Sequence, residues 1–227
     1  MTRLTSSLLA LLASTTLTGC FDFEPDRIEV ADFESAVHRV DARTGSGDID
    51  VRVDEDATQT IVEAHVYGER TRPRILKEDG VLTLRHDCPR RARQCGVDWV
   101  VILPPHDDAR IFDLDSGSGD IDLFGTWGIT VASTGSGDIG LHGVWAEDID
   151  LDTGSGDIGI DLEGSFLSLH ADTGSGDVGI RIPSGSYDLS ITTGSGDVST
   201  RDIDDDASAE AIVDVQTGSG DVSVHGR

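Results

Sequence analysis

Apolar residues alternate with small or polar ones in short runs along most of the chain. Ile158, Ile160 and Leu162 are separated by Gly159 and Asp161, and Val178, Ile180 and Ile182 by Gly179 and Arg181. Ile149 and Leu151, Leu189 and Ile191, and Val213 and Val215 alternate in the same way with Asp, Ser or Thr. A period of two predicts short strands with one face buried and the other wet.

The strands are punctuated by one recurring turn. Thr44-Gly45-Ser46-Gly47-Asp48 and Ser116-Gly117-Ser118-Gly119-Asp120 are followed by copies ending at Asp138, Asp157, Asp177, Asp197 and Asp221. From Asp120 the steps are 18, 19, 20, 20 and 24 residues. A period near twenty, with two strands and two turns in each unit, predicts an all-β, single-stranded β-solenoid of rungs rising about 4.8 Å each. An antiparallel meander or sandwich with a hairpin at each turn is the alternative; near-identity of the turns favours stacking. In the turn, the glycines are expected to supply positive φ, and Thr and Asp to bond the turn backbone.

The second turn of each unit carries an aromatic: Trp127, Trp145, Phe166 and Tyr187. Stacked rungs would align these into one buried ladder. The column Gly140, Gly159, Gly179, Ser199 and Ser223 predicts a flat outer face that could stack on a partner sheet.

Residues 52–112 interrupt the repeat. They hold strands near Ile61 to Tyr67, Val81 to Leu84 and Trp99 to Leu103, and a turn signal at Asp79-Gly80. The segment reads as a β-rich N-terminal cap, since solenoid ends need protection from edge pairing. At the other end, the last repeat stops at Arg227 with little sequence left to cover it, and residues 201–210 read as a loop.

The N-terminus reads as an export signal: Arg3, an apolar run from Leu8 to Ala13, then Leu17-Thr18-Gly19-Cys20. The last four residues resemble the lipobox of prokaryotic lipoproteins, which implies lipidation of Cys20. The resulting division is a signal peptide over 1–19, a tether over 20–34, a cap with the first repeat over 35–111, and a repeat domain over 112–227. The expected location is the extracytoplasmic side of a membrane, reached through the lipid anchor. Cys88 and Cys95, in an exported chain, predict a disulfide. A metal site with His86 is the competing reading, on irregular spacing.

Charge narrows the partners. The formal net charge is −26, from 43 acidic and 17 basic residues. Such a surface repels nucleic acid. It favours cations and cationic partners, and a halophilic source would give the same composition.

These turns resemble those of the putative adhesin families of unknown function found in prokaryotic envelope proteins. Their domains repeat Gly-Ser-Gly-Asp strands in β-solenoids. Trp99-Val100-Val101-Ile102-Leu103-Pro104 ahead of Phe112 is also similar to the family's lead into its stack. The resemblance spans residues 28–227. It implies an envelope scaffold or adhesion role and carries no catalytic residues.

Three groups of residues bear on chemistry. Asp48, Asp120, Asp138, Asp157, Asp177, Asp197 and Asp221 would line one edge, as turn caps or as calcium ligands. Arg85, Arg90, Arg91 and Arg93 cluster at the cysteine loop, either paired with the chain's own carboxylates or contacting anionic envelope groups. His38, His65, His86, His106, His142, His170 and His225 are scattered, and no acid–base pair or nucleophile elbow stands out. The expected function is therefore a non-catalytic, lipid-anchored scaffold or adhesion module with an envelope glycan or protein partner. A polysaccharide-binding or polysaccharide-degrading solenoid and a calcium-dependent surface protein are the alternatives.

Overall fold

The computed structural model describes residues 24–88, 95–106 and 108–227. The signal peptide, Cys20, Arg90, Arg91 and Arg93 lie outside the described residues. Strands β1 (Arg27–Phe33), β2 (Arg39–Thr44), β3 (Ile49–Val53) and β4 (Thr60–Tyr67) come first. Next are β5 (Arg72–Glu78), β6 (Val81–Asp87) and β7 (Gly96–Leu103). The repeats give β8 (Arg110–Ser116), β9 (Ile121–Phe124), β10 (Trp127–Thr134), β11 (Ile139–Thr153), β12 (Ile158–Leu162), β13 (Ser168–Thr173) and β14 (Val178–Ile182). Finally come β15 (Gly185–Thr193), β16 (Val198–Arg201), β17 (Ile203–Asp205), β18 (Ile212–Thr217) and β19 (Val222–Gly226).

Every pairing among β8 to β19 is parallel, which excludes the meander and gives the all-β solenoid. Each rung runs along one strand of sheet B, crosses a Gly-Ser-Gly-Asp corner, and returns along one strand of sheet A. The long β11 serves two rungs: its first part pairs with β9 and β12 in sheet A, its second with β10 and β13 in sheet B. It turns between them near Gly143, at φ 60°. Inward positions alternate along strands such as β12 and β14. Leu141, Leu151, Leu162, Ala171, Ile182 and Val224 are buried between the sheets, where each large aliphatic side chain contributes about 1.5–3 kcal/mol.

Spatial order differs from chain order at both ends. The described rungs follow the sequence β6–β7, β2–β3, β8–β9, β10–β11, β11–β12, β13–β14, β18–β19, β15–β16. The last repeat is thus not the end of the stack, contrary to the expectation at Arg227. It slots between the repeats of Asp177 and Asp197. The inserted rung points Val213, Val215, Val222 and Val224 into the core, all fully buried. The rung displaced to the end carries Thr200 opposite Val224, and the exposed Thr hydroxyl can bond water where a second Val methyl could not. The long step that allows the exchange contains β17 as well as a loop, and β17 pairs with the start of β15.

At the opposite end, β4 runs antiparallel to β7, and β1 antiparallel to β4. Residues 27–33, expected within a tether, are therefore a strand of sheet A. β5 and β6 form a tight hairpin through Asp79 (φ 46°) and Gly80 (φ 76°), the left-handed pair that a two-residue turn requires.

Candidate functional site

The corner column is built from two hydrogen-bond ladders. In the first, the backbone N–H of each turn Asp donates to Oδ1 of the Asp one rung earlier: Asp120 to Asp48 at 2.9 Å, Asp138 to Asp120 at 2.8 Å, Asp157 to Asp138 at 2.7 Å and Asp177 to Asp157 at 2.8 Å. The rung exchange is followed faithfully, since Asp221 donates to Asp177 and Asp197 to Asp221, both at 2.8 Å. In the second ladder the Thr hydroxyl donates to the carbonyl of the second glycine one rung earlier, as from Thr134 to Gly119 at 2.9 Å and Thr153 to Gly137 at 2.8 Å. Neighbouring carboxylates about 4.8 Å apart repel by about 0.9 kcal/mol in water. The charge-assisted N–H bonds offset this.

The glycines answer to stacking more than to φ. A Cβ on Gly119, Gly137, Gly156 or Gly176 would fall within 1.9–2.1 Å of the preceding rung's carbonyl oxygen. Among the second glycines of these turns, only Gly47, Gly196 and Gly220 have φ in the left-handed range, at 150°, 151° and 155°. The positive φ expected of these turns is thus met at three of them, and it recurs at the other corner in Gly125 (φ 59°) and Gly143 (φ 60°).

The first rung turns its corner with a disulfide. Cys88 and Cys95 are bonded, with Cα atoms 5.7 Å apart. Behind them Asp98 stands in register with Asp48 and accepts its N–H at 3.0 Å, so Asp98 begins the Asp ladder. Its other oxygen accepts the Tyr67 hydroxyl at 2.6 Å. Partial burial, then this bond and the charges of Asp98 and Asp48, push the Tyr67 phenol above its ordinary range. Asp48 is raised too, by partial desolvation and by Asp98, Asp120 and Asp122, against the N–H of Asp120. The sequence carried no turn motif at Asp98, which lies within β7 ahead of the continuously apolar run Trp99 to Leu103.

His86 has its nearer ring nitrogen within 4.8 Å of both disulfide sulfurs. Burial lowers its pKa, against the pull of Asp87 and a backbone bond to Arg43, and so favours neutral imidazole. With both sulfurs in the disulfide, no thiolate is present to join it as a ligand. Arg85 pairs with Asp41 at 2.7 Å, and Arg74 pairs with Asp87. Arg110, which no sequence motif marks, is 4% exposed and donates to the carbonyls of Val37 (3.1 Å) and Pro104 (2.6 Å), tying the β1–β2 and β7–β8 connections to the start of β8.

The aromatic column is not one buried ladder. Phe166 and Tyr187 are buried and stacked, centroids 5.4 Å apart. Trp127 and Trp145 are 45% and 51% exposed. The ring of Trp145 lies over Gly164, where a Cβ would come within 2.5 Å of it. Another stack forms outside the column, between Phe124 and His142 at 4.6 Å.

Three residues of the small-residue column form the floor of a shallow groove of about 380 Å³ on the outer face of sheet A, while Gly140 lies beneath the side chains of Asp122 and His142. Gly159, Gly179 and Ser223 make the floor, and His142, Asp161, Arg181 and His225 stand beside it. Their alignment follows from register: His142 is opposite Asp161, Asp161 opposite Arg181, and Arg181 opposite His225. Asp122 holds His142 at 3.0 Å, and Arg227 pairs with Asp161.

No curated protein matches the chain. Among solved structures, a putative cell adhesion protein from Clostridium sporogenes is similar at 11% identity and a TM-score of 0.52, covering 88% of this chain and 99% of that one. A putative adhesin from Bacteroides fragilis is also 11% identical, with a TM-score of 0.49, over 89% of this chain and 98% of that one. The first likeness supports the same solenoid fold. A family model described as Toastrack DUF4097 matches residues 108–225, the span from β8 to β19 in which every strand pairing is parallel, and the chain belongs to that family.

Proposed function

We propose that this protein is a non-catalytic adhesion or binding module of the cell envelope, tethered through lipidated Cys20 and presenting the outer face of sheet A to an envelope glycan or protein. The observation that carries this reading is the groove over Gly159, Gly179 and Ser223. There the backbone is open to a ligand, and a row of polar side chains stands at the spacing of the rungs. Adhesin-like relatives of the same fold support a surface location. Hydrolysis of a polysaccharide would need two carboxyl groups across the bond to be cut. The groove lining offers Asp161 alone, already paired with Arg227.

The test is a binding screen of the full chain carrying Cys20→Ala against purified glycans and envelope fractions, with and without calcium. Gly159→Trp and Gly179→Trp would fill the groove. Binding that falls at least tenfold in both variants supports the reading, and binding unchanged by them refutes it. A calcium requirement at fixed ionic strength would assign the Asp column a second role as a cation site.

A further inference from the structure

The two corner ladders have a direction. In every described rung after the first, the Thr or Ser hydroxyl and the Asp N–H donate toward the disulfide end of the stack. The rung of β15 and β16 comes last, so its own Thr193 and Asp197 N–H are used, while the Gly196 carbonyl and Asp197 Oδ1 receive no such donor from the described residues. The apolar core is open at the same place. Val213 and Val215 are fully buried, but their register partners Leu189 and Ile191 are only partly so, and Val198 is 49% exposed.

The two ends of the molecule are guarded differently. Edge strand β5 at the disulfide end carries Arg72, Pro73, Arg74 and Lys77, the residues that blunt a sheet edge. Residues 185–201 contain neither Pro nor Lys, and Arg201 is their one cation. They include Asp188 and are bordered by Asp202, Asp204, Asp205 and Asp206, where β17 packs beside β15. Two such ends meeting face to face would oppose carboxylate to carboxylate, although the backbone edge itself offers N–H groups as well as carbonyls, as Gly220 and Val222 one rung earlier donate to Ser195 and Asp197. A cationic segment that also supplies N–H and hydroxyl donors avoids that repulsion and reaches the Gly196 carbonyl and Asp197 Oδ1.

We propose that the open end is a strand-accepting site for an extended, Lys- or Arg-bearing segment of a partner protein, which adds to β15 as a further parallel strand and caps Gly196 and Asp197. This goes beyond the sheet A groove and does not depend on it.

The probe is a fluorescent peptide with the sequence of residues 168–182 preceded by two lysines, which carries the donors of one rung. It is titrated against the full chain carrying Cys20→Ala, with anisotropy and hydrogen exchange as readouts. The expected result is saturable binding with new amide protection confined to 188–201. Affinity should fall at least tenfold in the Leu189→Lys/Ile191→Lys variant. It should fall severalfold in Asp197→Ala, whose melting should match the parent because no N–H of the described chain depends on that carboxylate. Equal binding of a scrambled peptide of the same composition would overturn the proposal. So would protection elsewhere, or a dimer of the chain alone that protects β15 and β16.

Discussion

A single methyl group separates the two kinds of glycine in this chain. On Gly137 it would lie 2.1 Å from the Gly119 carbonyl oxygen, a backbone atom that cannot swing aside. On Gly159 it would meet nothing within 4 Å. Gly137→Ala is therefore expected to cost about 1–3 kcal/mol or more by forcing two rungs apart. Gly159→Ala should stay within about 0.5 kcal/mol of the parent. Thermal melts of the two variants make the check, and equal melting would show that the corner does not require close stacking. Both residues look alike in the sequence, since each sits in a column of glycines. The turn motif announced the corner, but the reason for its glycines, an approaching carbonyl, belongs to the neighbouring rung and is visible only in three dimensions.

Strands and turns were mostly legible. Alternation located β12, β14 and β18, and Asp79-Gly80 marked the β5–β6 hairpin, because these signals are local. β1 was not legible because only Ile28 and Val30 alternate before Ala31-Asp32, and its place is set by antiparallel pairing with the distant β4 while both side chains stay 53% and 62% exposed. The disulfide corner shows an element replaced by a different device. Cys88 and Cys95, seven apart in sequence, close the turn that Gly-Ser-Gly-Asp closes elsewhere. Constraining a loop of this size stabilises by about 2–3 kcal/mol in the chain-entropy account. Replacing both with Ser should therefore lower unfolding stability by about 2 kcal/mol in urea titrations. Hydrogen exchange should speed up first in β6 and β7 and leave β15 and β16 unchanged. A variant as stable as the parent would mean that the Asp98 ladder and β4 hold this rung by themselves.

At the scale of the molecule, charge is the dominant unbalanced quantity. A net −26 on a narrow stack, with a row of carboxylates along one edge, opposes compaction by self-repulsion. Raising sodium chloride from low to physiological strength shortens the screening length to about 8 Å. The melting temperature should rise accordingly and level off once the screening length approaches the rung spacing. A melting temperature independent of salt would imply that the carboxylate ladder is neutralised within the fold. The sequence by itself determined the strand alternation, the repeating corner and the acidity, because each is a property of residues close together in the chain. Only the tertiary structure decided the order in which the rungs stack, the place of Asp98 at the head of the ladder, and the open end at Asp197. Near-identical turns fit one another in any order, so the choice fell to which rung buries its inward residues best and to where the connecting segments can reach.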